Sequence, residues 1–217
     1  MLGSKADCDT GFREVRMPKI VDHDERRELI VDATWRLIER GGFERATMRE
    51  IAAEAGFAHG ALQRYFPNKE SLLAAAFVRA HTRTNVRAAV ELPALRGLAA
   101  LRELCLEIMP IDRERVQESR VVVAFWDHAV QDEELWNAHR ENALHWRAQM
   151  SQFLREARED GELVASVDDQ VVIDQLTAMN AGLQIMCLLM PETTTPERLL
   201  AQLDAFLDGL RMPARVP

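Results

Sequence analysis

Residues 47–69, TMREIAAEAGFAHGALQRYFPNK, decide how the rest of the chain is read. The stretch divides into two short helices around a tight turn. Thr47 is a helix-capping residue, and Glu50 is spaced to reach back to it, which satisfies two otherwise orphaned backbone donors. Ile51 and Ala52 face inward, and a small residue at 52 lets a neighbouring helix come close. Gly56 stands where the turn requires left-handed backbone, a conformation glycine adopts without steric cost. A second helix is expected from about Ala58 to Tyr65, anchored by Leu62 and Phe66 and stopped by Pro67. His59, Gln63, Arg64 and Tyr65 then point outward. Donors, acceptors and an aromatic ring of this kind read base edges and phosphates in a major groove. An ordinary helical hairpin has the same bare spacing, so the flanking sequence must decide between them.

Ahead of the stretch lies an amphipathic helix ending in Gly41-Gly42-Phe43, and its C-terminal part leads into YFPNKESLL, residues 65–73. With these flanks the sequence resembles the TetR family of one-component transcriptional regulators, strongly over residues 26–73 and in general layout beyond. The resemblance is carried by Ile30, Ala33, Leu37, Gly41, Thr47, Ile51, Ala52, Gly56, Gly60, Leu62, Phe66, Lys69 and Leu72. It implies an all-α fold: an N-terminal three-helix helix-turn-helix domain joined by a fourth helix to a C-terminal ligand-binding and dimerisation bundle. The expected division is a disordered arm over 1–17, the DNA-binding domain over 18–90 and the ligand-binding and dimerisation domain over 91–217. On this reading Thr47, Arg49, Tyr65 and Lys69 grip phosphates. Ala58, His59, Gly60, Gln63 and Arg64 approach bases, and Gly60 permits close backbone approach. Phosphate grips give affinity that falls with salt, while base contacts give sequence choice.

Charge agrees in its distribution more than in its sum. The net charge is −8, yet residues 18–87 carry 12 Lys+Arg against 10 Asp+Glu, while residues 88–217 carry 12 against 22. A DNA-facing head and a DNA-averse body have this asymmetry. Three widely spaced cysteines, Cys8, Cys105 and Cys187, have neither metal nor disulfide spacing, and the latter two fall on apolar helical faces as buried thiols. The first 25 residues are too polar for a signal peptide. The most apolar stretch, Leu176 to Met190, is too short to span a bilayer and carries Asn180 and Gln184. A cytoplasmic protein with no membrane contact and no cofactor is expected.

Periodicity places the remaining helices. The first is expected over about Asp24–Arg40, capped by Asp22 or Asp24, with Ile30, Ala33 and Leu37 inward. The fourth runs from Asn68 to about Val90 and is expected to be the one element touching both halves; Lys69 on its first turn makes a phosphate site. Further helices are expected over 94–109, over 112–130, from Asp132 to about Glu159, from Asp168 or Asp169 to about Met190, and from Thr195 onward. The apolar residues Leu176, Met179, Leu183 and Met186, with the last helix's stripe of Leu199, Leu203, Phe206, Leu207 and Leu210, exceed what one small bundle needs. They suit a homodimer built on the last two helices, with Gly182 allowing close contact; an intramolecular core is the alternative.

A regulator needs a signal, and the middle helices are where it would enter. Phe125-Trp126-Asp127-His128, followed by Trp136, His139 and His145-Trp146, resembles the ligand-binding half of the subgroup typified by the choline-sensing repressor BetI. Gln63 agrees: much of the family has Tyr at that position, while this subgroup tends to carry a small polar residue. That departure removes the usual tyrosine–phosphate contact at 63 and leaves Tyr65 to supply one. Trp126 with Asp127 suits a quaternary or protonated amine held by cation–π attraction. A largely apolar molecule in a pocket lined by Met109, Phe125, Trp126, His128, Trp146, Met150 and Met179 suits the residues as well. The histidines do not read as a metal site: His128 is on another helix, and His139 and His145 are six apart. No phosphate loop, nucleophile elbow or metal pair supports an enzyme. The expected function is a repressor that binds a near-palindromic double-stranded DNA operator as a dimer and is released by a small-molecule effector; an activator or a ligand-independent regulator shares the fold.

Overall fold

The computed structural model describes residues 23–164, 166 and 168–212. Among them are α1 (His23–Gly41), α2 (Met48–Ala55), α3 (His59–Leu62), α4 (Lys69–Glu91), α5 (Gly97–Ile108), α6 (Arg113–Ala129), α7 (Glu133–Glu159), α8 (Asp169–Leu189) and α9 (Pro196–Leu210), with three short 3₁₀ turns. No strand forms among the described residues, and one isolated bridge between Leu163 and Arg211 pins the end of α9 to the α7–α8 connection. The expected arm, Cys8 and the Asp22 cap lie outside the described residues.

The helix starts follow from side-chain caps. Asn68, Asp112 and Asp132 each accept from the backbone N–H three residues on, at 2.8–2.9 Å. Asp168 accepts from Gln170 N–H at 2.8 Å. Such caps contribute about 1 kcal/mol each. One helix is shorter than its sequence implied. Regular α3 stops at Leu62, and the Tyr65 N–H turns to Leu62 O at 2.9 Å in a tighter coil. Pro67 then keeps the helix from resuming, because it has no N–H to offer Gln63 O. Likewise α5 begins at Gly97 and not near 94, because Pro93 sets a separate turn over Leu92–Ala94.

Three apolar clusters hold the chain. Ile30, Ile51, Leu62, Phe66 and Leu72 form the core of the head. The α5 leucines Leu98, Leu101 and Leu104 pack with Leu154, Leu176 and the α9 stripe to form the core of the body. Between them lies a joint in which Ile38 and Phe43 from the head meet Phe77 of α4, Val121 and Phe125 of α6, and Leu135 of α7. Phe77 and Phe125 stack there with ring centroids 3.6 Å apart and planes within 7°. The α1 stripe is shifted slightly from expectation, with Ile38 fully buried and Leu37 half-buried.

The joint corrects the expectation that the fourth helix alone bridges head and body. From α6, Arg113 and Gln117 both reach Glu39 on α1, and His128 Nε2 lies 3.4 Å from Glu44. A second correction concerns the residues proposed for a subunit contact. Leu176, Leu183, Leu199, Leu203, Leu207 and Leu210 are all buried within the single chain, so its own body core uses them. What α8 and α9 leave exposed is a different face, with Leu189, Ala201 and Ala205 on it. Helix α8 is also longer than the apolar stretch read from sequence: at 21 residues it is long and apolar enough to cross a membrane by those two measures. One side of it, including Ile173, Leu176 and the polar Asn180 and Gln184, is buried in the bundle, as in a core helix.

Candidate functional site

The reciprocal cap predicted at the start of α2 forms. Thr47 Oγ1 accepts from Glu50 N–H at 3.2 Å, while Glu50 Oε2 accepts from Thr47 N–H at 2.9 Å and from the Thr47 hydroxyl at 2.8 Å. The two hydrogen bonds from Thr47, backbone first, hold the Glu50 carboxyl below the usual range. The hydroxyl proton of Thr47 is thereby committed, so a phosphate grip by this side chain requires it to turn from Glu50. Gly56 closes α2 at φ 74°, in the left-handed region expected of it.

The turn delivers α3 with its outer face in solvent. Ala58, His59, Gly60, Gln63 and Arg64 are exposed, as are Thr47 and Arg49 at the start of α2. A Cβ built on Gly60 would meet nothing within 4 Å, so the space over its backbone is open to a ligand. Tyr65 and Lys69 are half-buried. The Tyr65 hydroxyl accepts from Arg26 at 3.2 Å, and Lys69 Nζ donates to Glu44 O at 3.3 Å while lying 4.2 Å from the Phe43 ring centre. Both belong to the rim of this exposed face and also to its fastening.

Further fastening was not read from the sequence. Arg36 and Arg40 of α1 clasp Glu54 of α2 at 2.7 and 2.6 Å. Arg27 donates to Tyr65 O at 2.6 Å with its guanidinium 4.2 Å over Phe66. These links fix α2 and α3 against α1, so the exposed donors keep one mutual geometry. Helical spacing alone marks no partner for these arginines, because the residues they meet lie 14 to 38 positions away.

A cavity of about 390 Å³ opens in the body, walled by α4, α6, α7 and α8. Of the predicted ligand residues, Trp126, Trp146 and Met150 line it. Phe125 and His128 do not. On α6 the positions that face the cavity are Arg115, Glu118, Ser119, Val122, Trp126 and Ala129, which share one side of the helix, and Phe125 and His128 fall on the adjoining face against the head. Met109 is fully buried in the body core and Met179 packs against that core. Asp127 is exposed and is no part of the wall, so the expected Trp126–Asp127 amine site does not assemble.

The polar lining is different from the predicted one. His81 of α4 is 7% exposed, and neither of its ring nitrogens has a partner. Burial, with a smaller contribution from His139, pushes the His81 imidazole down to about 3, so it is uncharged at neutral pH. The Asn180 amide lies against the buried Cys105 thiol, yet neither its oxygen nor its nitrogen makes a hydrogen bond of normal geometry. Trp126 Nε1 donates to His139 Nδ1 at 3.3 Å, and Trp146 Nε1 donates to Asn85 at 3.0 Å.

Beside the cavity lies an ion cluster. Arg87 of α4 binds both Glu118 oxygens at 2.8 Å and Glu107 at 2.6 Å, and Glu107 also holds Arg115 at 2.7 Å. Hydrogen bonding to Glu118, then to Glu107, drives the Arg87 guanidinium above its ordinary range. The cluster ties α4, α5 and α6 together at the cavity wall. Among the described residues no three His, Cys, Asp or Glu converge as a metal site.

Comparison with known proteins agrees with this arrangement. Residues 30–76 match the family model for bacterial regulatory proteins of the tetR family, and residues 97–211 match the model described as BetI-type transcriptional repressor, C-terminal. The chain is 30% identical over 186 residues to the HTH-type transcriptional regulator PksA of Bacillus subtilis (strain 168), covering 84% of this chain and 88% of that one. It is 46% identical over 63 residues to the repressor KstR of Rhodococcus jostii (strain RHA1), covering 29% of this chain and 30% of that one. Among solved structures, a transcriptional regulator from Saccharomonospora viridis in complex with choline superimposes with a TM-score of 0.81 at 21% identity, covering 88% of this chain and 100% of that one.

Proposed function

The chain belongs to the TetR family of DNA-binding transcriptional regulators, with a BetI-like C-terminal half, and from that premise we propose a dimeric repressor that a small molecule releases from its operator. Two α3 segments enter successive major grooves of a near-palindromic site, roughly 34–36 Å apart. Gln63, Arg64, His59 and the backbone at Gly60 approach bases, and Arg49, Tyr65, Lys69 and Thr47 approach phosphates. The place of action is the bacterial cytoplasm.

The exposed outer faces of α8 and α9 support the dimer. A Cβ added at Gly182 or Gly209 would meet nothing within 4 Å of its own chain, which leaves room for another helix to come close. Residues to about 90 then act as the reading head, and the rest as the sensing and pairing body.

The observation that carries the ligand reading is that α4 walls the cavity. His81 and Thr84 line it, and the same helix opens with Lys69 beside the reading face. A molecule held against His81 therefore bears on the helix that seats the head. It releases DNA only if it prefers the non-DNA geometry, and its leverage cannot exceed that difference in affinity. Genome-wide mapping of bound DNA, with and without candidate molecules drawn from neighbouring genes, tests the proposal. The expected result is inverted-repeat sites vacated by one class of molecule. Binding to single half-sites, or occupancy indifferent to every candidate, would count against it.

A further inference from the structure

Taking the cavity as the effector site, we propose that its ligand is an uncharged, mainly apolar molecule with one hydroxyl, ketone or amide group seated between His81 of α4 and Asn180 of α8, and that a quaternary amine is not accepted.

The charges at the wall are closed among themselves. Among the described lining residues the one acid is Glu118, and both its oxygens are taken by Arg87. Arg115 is engaged by Glu107 and Asp112, and Arg147 by Asp174 at 2.6 Å. A cation entering here loses its water and finds no unpaired counter-charge, and burying an unpaired charge is costly. Cation–π attraction is also poorly served. The His81 ring lies 4.4 Å from the Trp146 ring, and the His139 ring meets Trp126 edge-on at 6.1 Å, so uncharged imidazoles already occupy space against two of the indoles.

What the wall does leave open is hydrogen bonding. Buried polar side chains without partners are rare, and three polar groups on this one cavity qualify: the His81 ring and the Asn180 amide, at 7% and 4% exposure, and the Arg115 Nε–H, a donor that its ion pairs leave open. An uncharged imidazole offers one donor and one acceptor, and an amide offers both kinds. A hydroxyl or carbonyl oxygen supplies what they lack. The surrounding Val122, Met150 and Ala143 suit a hydrocarbon body. The choline found in the Saccharomonospora viridis regulator does not bear on this lining, because a likeness at 21% identity speaks for the fold.

Matched probes separate the charge from the shape. The full chain is titrated with n-alkanols of six to ten carbons and with alkyltrimethylammonium ions of the same chain lengths, read by quenching of its tryptophan fluorescence and by calorimetry. The alkanols are expected to bind at least tenfold more tightly. His81→Phe and Asn180→Leu should each weaken alkanol binding by roughly three- to tenfold while leaving the weak ammonium binding unchanged, with circular dichroism confirming that both variants fold. Tighter binding of the ammonium series overturns the inference, as does alkanol binding indifferent to both substitutions or absence of binding by either series. Alkanol binding that follows this pattern but leaves operator occupancy unchanged would uphold the ligand class and refute ligand-driven release.

Discussion

Acidification should destabilise this protein through His81. The side chain ordinarily titrates near 6.5, and its burial against Phe77 and Trp146, with His139 nearby, brings it to about 3. Above pH 6.5 neither the folded nor the unfolded chain protonates it, and it adds no pH dependence. Below that value the unfolded chain takes up a proton that the folded chain refuses until about pH 3, so folded stability falls as the pH falls. Between pH 7.5 and pH 5 the loss is about 2 kcal/mol, at about 1.4 kcal/mol per pH unit once below the unfolded value. Burial also lowers His139, which acts in the same direction, so the wild-type slope alone does not isolate the effect. The comparison with His81→Asn does, because asparagine keeps a polar group and cannot titrate. Urea unfolding at both pH values, at one protein concentration because the proposed dimerisation would couple to stability, should show the wild type losing about 2 kcal/mol more than the variant. Equal losses would refute the reasoning: water would then reach His81 in the folded state, and the uncharged lining would be wrong.

Arg87→Leu leaves Glu118 buried without its partner and should cost about 3–5 kcal/mol in urea unfolding; a loss below about 1 kcal/mol would mean that the cluster behaves as a solvated surface pair. Leu62→Ala empties a fully buried anchor of the head and should cost about 2–5 kcal/mol, with operator affinity falling in gel-shift titrations as the head loosens. Gly182→Arg meets no atom of its own chain within 4 Å at Cβ and improves helix propensity, so it should leave the fold intact while sedimentation reports a single chain and operator binding is lost. Gln63→Ala or Arg64→Ala should relax preference at particular base pairs in a binding-site selection, whereas Lys69→Ala should weaken all sequences alike and reduce the salt slope by about 1.

The head was legible because its constraints are local. A capping box, a left-handed glycine and a proline act within a few residues of one another, and each appears where the sequence put it: Thr47 with Glu50, Gly56 at φ 74°, and Pro67 behind Phe66. The helix starts at Asn68, Asp112, Asp132 and Asp168 were readable for the same reason. The cavity lining was less legible because it depends on helix phase across four elements. Aromatic residues drew attention to α6, but a rotation of one position separates Trp126, which lines the cavity, from Phe125, which stacks in the joint. His81 gave no signal at all. It sits alone in α4, and its meaning comes from Trp146 and Asn180, 65 and 99 positions away in a chain read one residue at a time. The α9 leucines misled for a related reason: an apolar stripe announces burial and does not say whether the same chain or another covers it.

The joint determines how a cavity in the body can act on the head. His81 lies twelve residues beyond Lys69, about 18 Å along the helix axis at the usual rise, so α4 is long enough to turn a small displacement at the cavity into a larger one at the reading face. It does not move alone. Phe77, one turn from His81, is stacked on Phe125 of α6, and Ile38 and Phe43 of the head share that cluster. The head therefore follows α4 only by repacking against α6, where His128 meets Glu44 and where Arg113 and Gln117 meet Glu39. Closely packed interiors resist gradual deformation, so the joint favours two discrete packings over a continuous range of angles. In the proposed release, a ligand selects between those packings, and because α6 lines the cavity through Ser119, Val122 and Trp126, it acts on both sides of the joint at once.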